Sequence, residues 1–213
     1  MNRYQKDSFV DAGSFPLLKR ILTQWIEHQR RYTAAMHGED YPWYYRERTC
    51  IGFLAAAAWS CGCVVLEEWH TEKRVRALSK AKKPKLRKGR SDLYIHHPSQ
   101  ELFIESKYAL SRATGNPDRE LGYIKGHLTR ATSDCGFLDC HVKHQLGIVF
   151  LVPFYPAQKR DGMSDHLAGW LRQVCDEVPH SAAAWLFLDR TGKTFSAGDD
   201  AWPGIVLLAR SPK

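Results

Sequence analysis

Three charged residues in two neighbouring strand-like segments have types and a spacing that could bind a metal ion and act on a water molecule. Glu105 and Lys107 flank Ser106 in an otherwise apolar run. Because successive side chains of a β-strand point to opposite faces, Glu105 and Lys107 are predicted to project from the same face. Asp92 opens the preceding run, and the turn-forming residues between the two runs predict a hairpin that brings Asp92 close to them.

These side chains predict a magnesium centre. Carboxylates at a sheet edge are hard oxygen ligands suited to Mg²⁺, which keeps several waters and completes its shell with a substrate oxygen. Mn²⁺ is expected to substitute for it. A lysine beside them would orient, or help to deprotonate, an attacking water, and would stabilise charge in a phosphoryl transition state together with the metal. The alternative is a Glu-Lys pair on a solvated sheet face, which the triplet alone does not exclude.

Apolar patterning predicts the elements that position these residues. A helical stripe follows Ser14 and Pro16, and a nearly all-apolar helix is predicted over residues 45–60. Strands are predicted at 63–69, 92–96, 102–108, 146–154, 183–188 and 205–209, with further helices after Asn116 and after Ser164. This order predicts an α/β sandwich around a central mixed sheet, in which residues 44–213 form one domain and residues 1–43 form a helical segment packed on it.

The residues around the two acidic positions resemble the PD-(D/E)XK nuclease superfamily. That family's pattern is an acidic residue that opens one strand, a hairpin turn, and then Glu/Asp-x-Lys in the next strand. Ser91-Asp92 stands where the family has Pro-Asp, and Glu105-Ser106-Lys107 matches Glu-x-Lys. The change from proline to serine leaves the carboxylate in place.

The resemblance covers roughly residues 44–154 and implies the restriction-endonuclease-like fold, an αβα sandwich. It also implies a Mg²⁺-dependent nuclease, with DNA expected over RNA because most relatives act on DNA. In this reading Asp92 and Glu105 bind the metal, and Lys107 acts on the attacking water.

The resemblance points to further residues as well. The family commonly has a glutamate on the helix before the first core strand, and Glu47 fits that place as an additional metal or water ligand. Glu67 and Glu68 compete for this role, although carboxylates at a strand end beside basic residues are often plain salt-bridge partners. Tyr123 and Lys125 lie on the helix after the motif strand, where the resemblance implies substrate contacts.

Positive charge is concentrated in residues 73–90, which we call the basic segment. It holds ten Lys and Arg residues and no acidic residue, and removing these charges from the net charge of +8 leaves the rest of the chain at −2. This footprint favours a nucleic-acid partner over a solvated loop or an acidic protein partner, and Pro84 and Gly89 predict a partly irregular stretch. The predicted phosphate contacts are Lys80, Lys82, Lys83, Lys85, Arg87, Lys88 and Arg90.

Other site classes find less support in the sequence. No run approaches the roughly 20 apolar residues of a membrane span, and the first residues lack a signal peptide's apolar run, so a cytoplasmic protein is expected. The six cysteines are then expected to be reduced thiols. Cys135, Cys140, His141 and His144 could supply zinc ligands, but their spacing fits no common zinc module.

Three functions remain in competition. The leading prediction is metal-assisted hydrolysis of nucleic acid, most simply as an endodeoxyribonuclease. The sequence contains no recognisable base-reading module, so specificity is expected from a partner subunit, a homodimer or substrate shape. The alternatives are a nucleic-acid-binding or assembly subunit with the same fold and little catalysis, and an unrelated α/β protein whose basic segment contacts an acidic protein. The presence of Asp92, Glu105 and Lys107 together favours the first.

Overall fold

The computed structural model describes residues 3–74, 86–136, 144–156, 162–188, 190, 196–197 and 200–212. Several residues singled out from the sequence lie outside the described residues, namely Lys80, Lys82, Lys83, Pro84, Lys85, Cys140 and His141. Arg87 and Lys88 are described at the level of the backbone. The other residues singled out from the sequence lie within the described ranges.

Helices and strands alternate along most of the chain. The helices are α1 (Pro16–Ala35), α2 (Arg46–Ser60), α3 (Pro117–Gly136) and α4 (Met163–Glu177), with 3₁₀ turns at Arg3–Gln5 and Pro42–Tyr45. The strands are β1 (Ser8–Asp11), β2 (Val64–Arg74), β3 (Leu86–His97), β4 (Gln100–Arg112), β5 (His144–Pro156), β6 (Ala182–Phe187), β7 (Ser196–Ala197), β8 (Asp200–Ala201) and β9 (Gly204–Arg210). Among the described helices, none is both long and apolar enough to cross a lipid bilayer.

The main sheet is mixed and follows the order β1-β6-β9-β5-β4-β3-β2. β4 and β5 run parallel, whereas the other neighbours on this path are antiparallel. The short strands β7 and β8 pair with each other, and β8 also pairs with the end of β5. The predicted α/β fold with a central mixed sheet is thereby confirmed.

Helices cover both faces of this sheet. α1 and α2 contribute Leu18 and Leu54 to one apolar cluster, and α3 and α4 contribute to a second cluster on the other face. Side chains of β5 alternate between them, since Phe150 belongs to the first cluster and Val149 to the second. A strand buried on both faces has no side that faces solvent, which explains the continuous apolar run in the sequence of β5.

The structure contains three short strands that the sequence analysis did not predict, β1, β7 and β8. β1 pairs with β6 from Ser8↔Leu186 to Asp11↔Ala183, but four residues are too few to show an alternating pattern. The described parts of the basic segment are also regular strand, because β2 and β3 pair as far as Arg74↔Leu86 and place Gly89 opposite Thr71. The sequence predicted a partly irregular stretch marked by Pro84 and Gly89. Gly89 lies in regular strand, where a glycine is tolerated when its neighbours keep the ladder, and Pro84 lies outside the described residues.

Candidate functional site

The two edges of β4 differ where the charged residues lie. One edge pairs with β5 over eleven residues. The other pairs with β3 over only five residues and stops at Leu93↔Ile104. We call the opening beyond that pair the notch, which is bounded by Asp92 on β3 and by Ser106 and Tyr108 on β4.

Two carboxylates occupy the notch in place of the missing strand contacts. Asp92 Oδ2 accepts a hydrogen bond from the Ser106 backbone N–H at 2.7 Å. Glu47, from α2, accepts a hydrogen bond from the backbone N–H of Tyr108. Alternate amides of β4 are thus bound by side chains, as a neighbouring strand would otherwise bind them.

The Ser106 hydroxyl joins the two carboxylates. Its Oγ lies 3.0 Å from Glu47 Oε1 and 3.2 Å from Asp92 Oδ2. Because a hydroxyl has one proton, it can donate to only one of them at a time. The sequence motif treats Ser106 as a variable position, whereas the structure gives it a defined contact.

Local strand geometry explains how Asp92 enters the notch. β2 pairs with β3 on both sides of it, through Glu67↔Leu93 and Trp69↔Ser91. The buried Ser91 hydroxyl donates to the Ile104 carbonyl of β4 at 3.1 Å. Ser91 therefore satisfies the last β4 carbonyl before the opening, a role that proline could not fill.

Glu47 is held by the segment that precedes it. It lies in the first turn of α2, where the helix dipole favours an acidic side chain. The Tyr108 hydroxyl donates to the Trp43 carbonyl at 2.8 Å, so the 3₁₀ turn is fixed to β4. These contacts bring Glu47 to the notch from a helix that is distant in sequence, as the resemblance implied.

Lys107 lies on the face of β4 opposite to the Ser106 side chain. Its Nζ is 3.1 Å from Asp134 Oδ2 of α3 and donates to the Ser106 carbonyl at 2.8 Å. Glu105 shares this face by strand alternation and is only 3% exposed. Ala109, two residues beyond Lys107, packs in the α3 and α4 cluster, which identifies the face.

Electrostatics keep Lys107 charged. Burial lowers its pKa, but the hydrogen bond and charge of Asp134, together with Asp92 and Glu105, raise it above its ordinary value. A protonated lysine can orient a water or an anion but cannot accept a proton. The arrangement thus suits Lys107 to electrostatic stabilisation and orientation, and not to deprotonation of the water.

The pKa of Glu47 is also raised, but for a carboxyl group this favours the neutral form. Burial raises its pKa, the Ser106 hydrogen bond lowers it, and the nearby charge of Asp92 raises it again, with a net increase. Two carboxylates are therefore held close together at a cost. A bound cation would relieve that repulsion.

Asp134 is a residue of the site that motif reasoning missed. It lies in the last turn of α3, where the helix dipole disfavours an acidic side chain. That unfavourable position is the signal in the sequence that could have identified it. Its partner Lys107 could be found only from the packing of α3 on β4.

The rival glutamates have other surroundings. Glu68 forms ion pairs with Arg48 at 3.6 Å and with Arg90 at 3.4 Å. Glu67 is exposed on the edge strand. These surroundings are those of surface carboxylates and not of ligands in the notch. Arg90, a predicted phosphate contact, is therefore paired with Glu68.

The two predicted contacts on α3 point in different directions. Tyr123 is 44% exposed and its ring meets His127 edge-on, with centroids 4.4 Å apart. Burial, Arg130 and Lys107 together lower the pKa of His127. Helical spacing places Tyr123 on the same stripe of α3 as Asp134, which contacts Lys107. Lys125 instead forms an ion pair at 3.5 Å with Glu177 of α4.

The proposed zinc ligands do not come together where the structure describes them. Cys135 is buried in the last turn of α3, and its Sγ donates to the Phe103 carbonyl at 3.6 Å. His144 instead packs edge-on against Phe15, a residue of the α1 and α2 layer. The two side chains thus lie on opposite faces of the sheet.

One cavity of the described structure lies away from the notch. This cavity of about 710 Å³, lined by Thr132, His180 and Arg210, among others, contains none of the charged residues of the notch. No family model matches the chain, and no curated protein or solved structure matches it either. The functional inference therefore depends on the residues of the notch themselves.

Proposed function

We propose that the protein is a metal-dependent nuclease of restriction-endonuclease-like fold that hydrolyses phosphodiester bonds, with DNA as the expected substrate. The observation that carries the proposal is the notch, where Asp92 and Glu47 meet at Ser106. Glu105 and Lys107 flank that serine on β4 and project from the opposite face of the strand, where the charges of Asp92 and Glu105 both act on Lys107. Carboxylates and a cation at a break in strand pairing are costly to hold without a ligand or a reaction.

The donor chemistry suits a hard divalent cation such as Mg²⁺ or Mn²⁺. Asp92, Glu105 and Glu47 offer only carboxylate oxygens, the ligands that such ions prefer. Over the residues that the structure describes, no group of three or more His, Cys, Asp or Glu side chains is arranged to hold an ion by itself. An ion that keeps waters and takes a phosphate oxygen needs only one or two carboxylates, and it would supply Lewis-acid activation of phosphate and water.

The protein's own groups divide the remaining work. Lys107, held charged by Asp134, would stabilise negative charge on the phosphate and orient the attacking water. Ser106 would keep Asp92 and Glu47 at a fixed separation. Glu47 would accept a hydrogen bond from the water, which places the nucleophile against the phosphorus.

The basic segment leads directly into the notch, since Arg90 precedes Asp92 by two positions on β3. Contacts between its lysines and arginines and successive phosphates would place the backbone across the carboxylates without choosing a sequence. Cutting both strands of a duplex would require two such centres. A homodimer or a partner subunit would supply the second centre or the specificity.

Two observations favour a second candidate, a nucleic-acid-binding or assembly subunit with little catalysis. Lys107 is engaged by Asp134, and the described residues form no ready-made group of three metal ligands. A binding subunit would tolerate both features. Activity assays separate the two candidates directly.

The test is a nuclease assay with wild type and Glu105→Gln, purified in parallel. Linear, circular and single-stranded DNA and RNA would each be incubated with Mg²⁺, Mn²⁺ or EDTA and analysed on gels. We expect metal-dependent cleavage that EDTA and Glu105→Gln both abolish, while Glu101→Gln on the same strand retains it. Cleavage by Glu105→Gln at the wild-type rate, or none by wild type, would overturn the proposal.

A further inference from the structure

Exposed aromatic side chains lie immediately before the helix that carries Glu47. We use the name aromatic patch for the exposed Tyr44 and Tyr45 and the half-buried Trp202 that Tyr44 contacts. Tyr44 is 46% exposed and Tyr45 is 51% exposed, although both are large rings. Neighbouring exposed rings of this kind are typical of surfaces that bind a partner or a planar ligand.

The rings of the aromatic patch are held in place. The Tyr45 hydroxyl donates to Asp40 Oδ2 at 2.9 Å. Tyr44 meets Tyr45 and Trp202 edge-on, with ring centroids 5.7 Å and 5.9 Å apart. Trp202 in turn stacks on Phe154 at 5.8 Å. A ligand that stacks here would therefore order few side chains on binding.

Tyr108 fixes the aromatic patch to the notch. Its hydroxyl binds the Trp43 carbonyl, and its backbone N–H binds Glu47. Trp43 also donates through its indole N–H to the Trp202 carbonyl at 3.3 Å. Tyr108, next to Lys107 on β4, thus contacts both Glu47 and the 3₁₀ turn that leads to the rings.

Arg46 adds positive charge at the same place. It is exposed, and across the part of the chain that the structure describes no carboxylate forms an ion pair with it. Its backbone has φ 69° and ψ −159°, a conformation found almost only in glycine. An arginine kept in a strained conformation beside the notch indicates a function for its side chain.

We propose that the aromatic patch and Arg46 bind an unpaired nucleotide of the substrate, with its base stacked on Tyr44 or Tyr45 and its phosphate on Arg46. The proposal rests on the proposed nuclease function and specifies its substrate class as single-stranded or frayed nucleic acid. Stacking on aromatic rings is tolerant of sequence because every base has a π-face. Bases inside a duplex already stack on one another, so their faces are not free for the tyrosines.

The experiment measures binding in EDTA, so that cleavage does not interfere. Fluorescence anisotropy with a labelled single-stranded oligonucleotide and a blunt duplex of the same sequence would compare wild type, Tyr44→Ala, Tyr45→Ala and the double variant. We expect the double variant to weaken single-strand binding about tenfold or more, with duplex binding changed less than about twofold. Equal weakening for both substrates, or none, would overturn the proposal.

Conservative variants control for folding. Tyr44→Phe keeps the ring, so it should bind the single strand as wild type does, whereas weaker binding by this variant would point to the hydroxyl and contradict stacking. Arg46→Gly should weaken single-strand binding and reduce its salt dependence while leaving the thermal midpoint at or above the wild-type value. A lower midpoint would show that the arginine backbone is not strained.

The outcome is distinguishable from that of the nuclease proposal. Ring-dependent binding of single strands by a protein that cuts nothing would uphold the aromatic patch and refute the nuclease. Metal-dependent cutting with no effect of the tyrosine variants would uphold the nuclease and refute the aromatic patch.

Discussion

The two edges of β4 belong to one strand but differ in how far they are paired. Toward β5 the strand is paired over eleven residues, and apolar side chains fill both faces around it. Toward β3 pairing stops after five residues, and carboxylates bind the free amides. The paired edge gains stability from regular contacts, whereas the notch holds two carboxylates close together at a cost in stability.

The largest effect is expected on the paired edge. A Cβ at Gly147, opposite Glu105 on β5, would lie 2.2 Å from the Thr132 backbone nitrogen of α3. Gly147→Ala should therefore lower the free energy of unfolding by about 3 kcal/mol, because the helix backbone has to move. In the control Gly126→Ala, nothing lies within 4 Å and stability should stay equal or rise. Urea denaturation measures the stability of both variants. Equal values would contradict the claim that close packing of α3 on the paired edge stabilises the fold.

The next largest effect is expected on metal binding at the notch. Asp92→Asn keeps an acceptor for the Ser106 amide but removes the charge, so the fold should survive. We expect Mn²⁺ binding by calorimetry to disappear and cleavage to fall at least about a hundredfold. Glu67→Gln, on the exposed edge strand, is the matched control and should titrate normally. An unchanged titration of Asp92→Asn would move the metal elsewhere.

Glu47→Gln tests whether the charge of Glu47 beside Asp92 lowers the stability of the metal-free protein. The pKa of Glu47 is raised in the folded protein, so its stabilising protonated form is lost as pH rises through that pKa. At neutral pH the uncharged glutamine should therefore raise the thermal midpoint of the metal-free protein by a few degrees. The difference should shrink in acid, where wild-type Glu47 is protonated. A variant less stable than wild type at pH 7 would show that the charged carboxylate is not a burden on the fold.

The smallest effect concerns the basic segment next to the notch. Replacing Lys80, Lys82, Lys83 and Lys85 with glutamine should reduce the slope of log affinity against log salt, by about 0.9 for each phosphate of duplex DNA that the protein no longer neutralises. Anisotropy titrations at several salt concentrations measure that slope. The unaltered wild-type slope would place the phosphate contacts on other residues.

Much of the fold was predictable because burial leaves periodic patterns. The apolar run at 146–154 predicted β5, and the run at 45–60 predicted α2 within one residue. The hairpin between β3 and β4 followed from its turn residues. The short strand β1 was missed because four residues are too few to show an alternating pattern. Its pairing with β6 also depends on a segment that is distant in the sequence.

The site was predictable only in part. Charges in apolar strands identified Asp92, Glu105 and Lys107 as unusual, but the sequence does not show that β3 leaves β4 at Ile104. That separation decides which side chains meet. It gives Ser106 its two carboxylate contacts and could not follow from local patterns. Asp134 likewise depends on how α3 packs across the sheet.

Lys107→Ala provides the most direct test of the central claim, that the notch is a catalytic centre. Cleavage in Mg²⁺ and binding in EDTA would be measured on the same preparation, with the exposed Lys19→Ala of α1 as a control. We expect Lys107→Ala to cut at least about a hundredfold more slowly than wild type while its affinity for substrate changes less than about twofold. Cutting by Lys107→Ala at the rate of Lys19→Ala would contradict that claim.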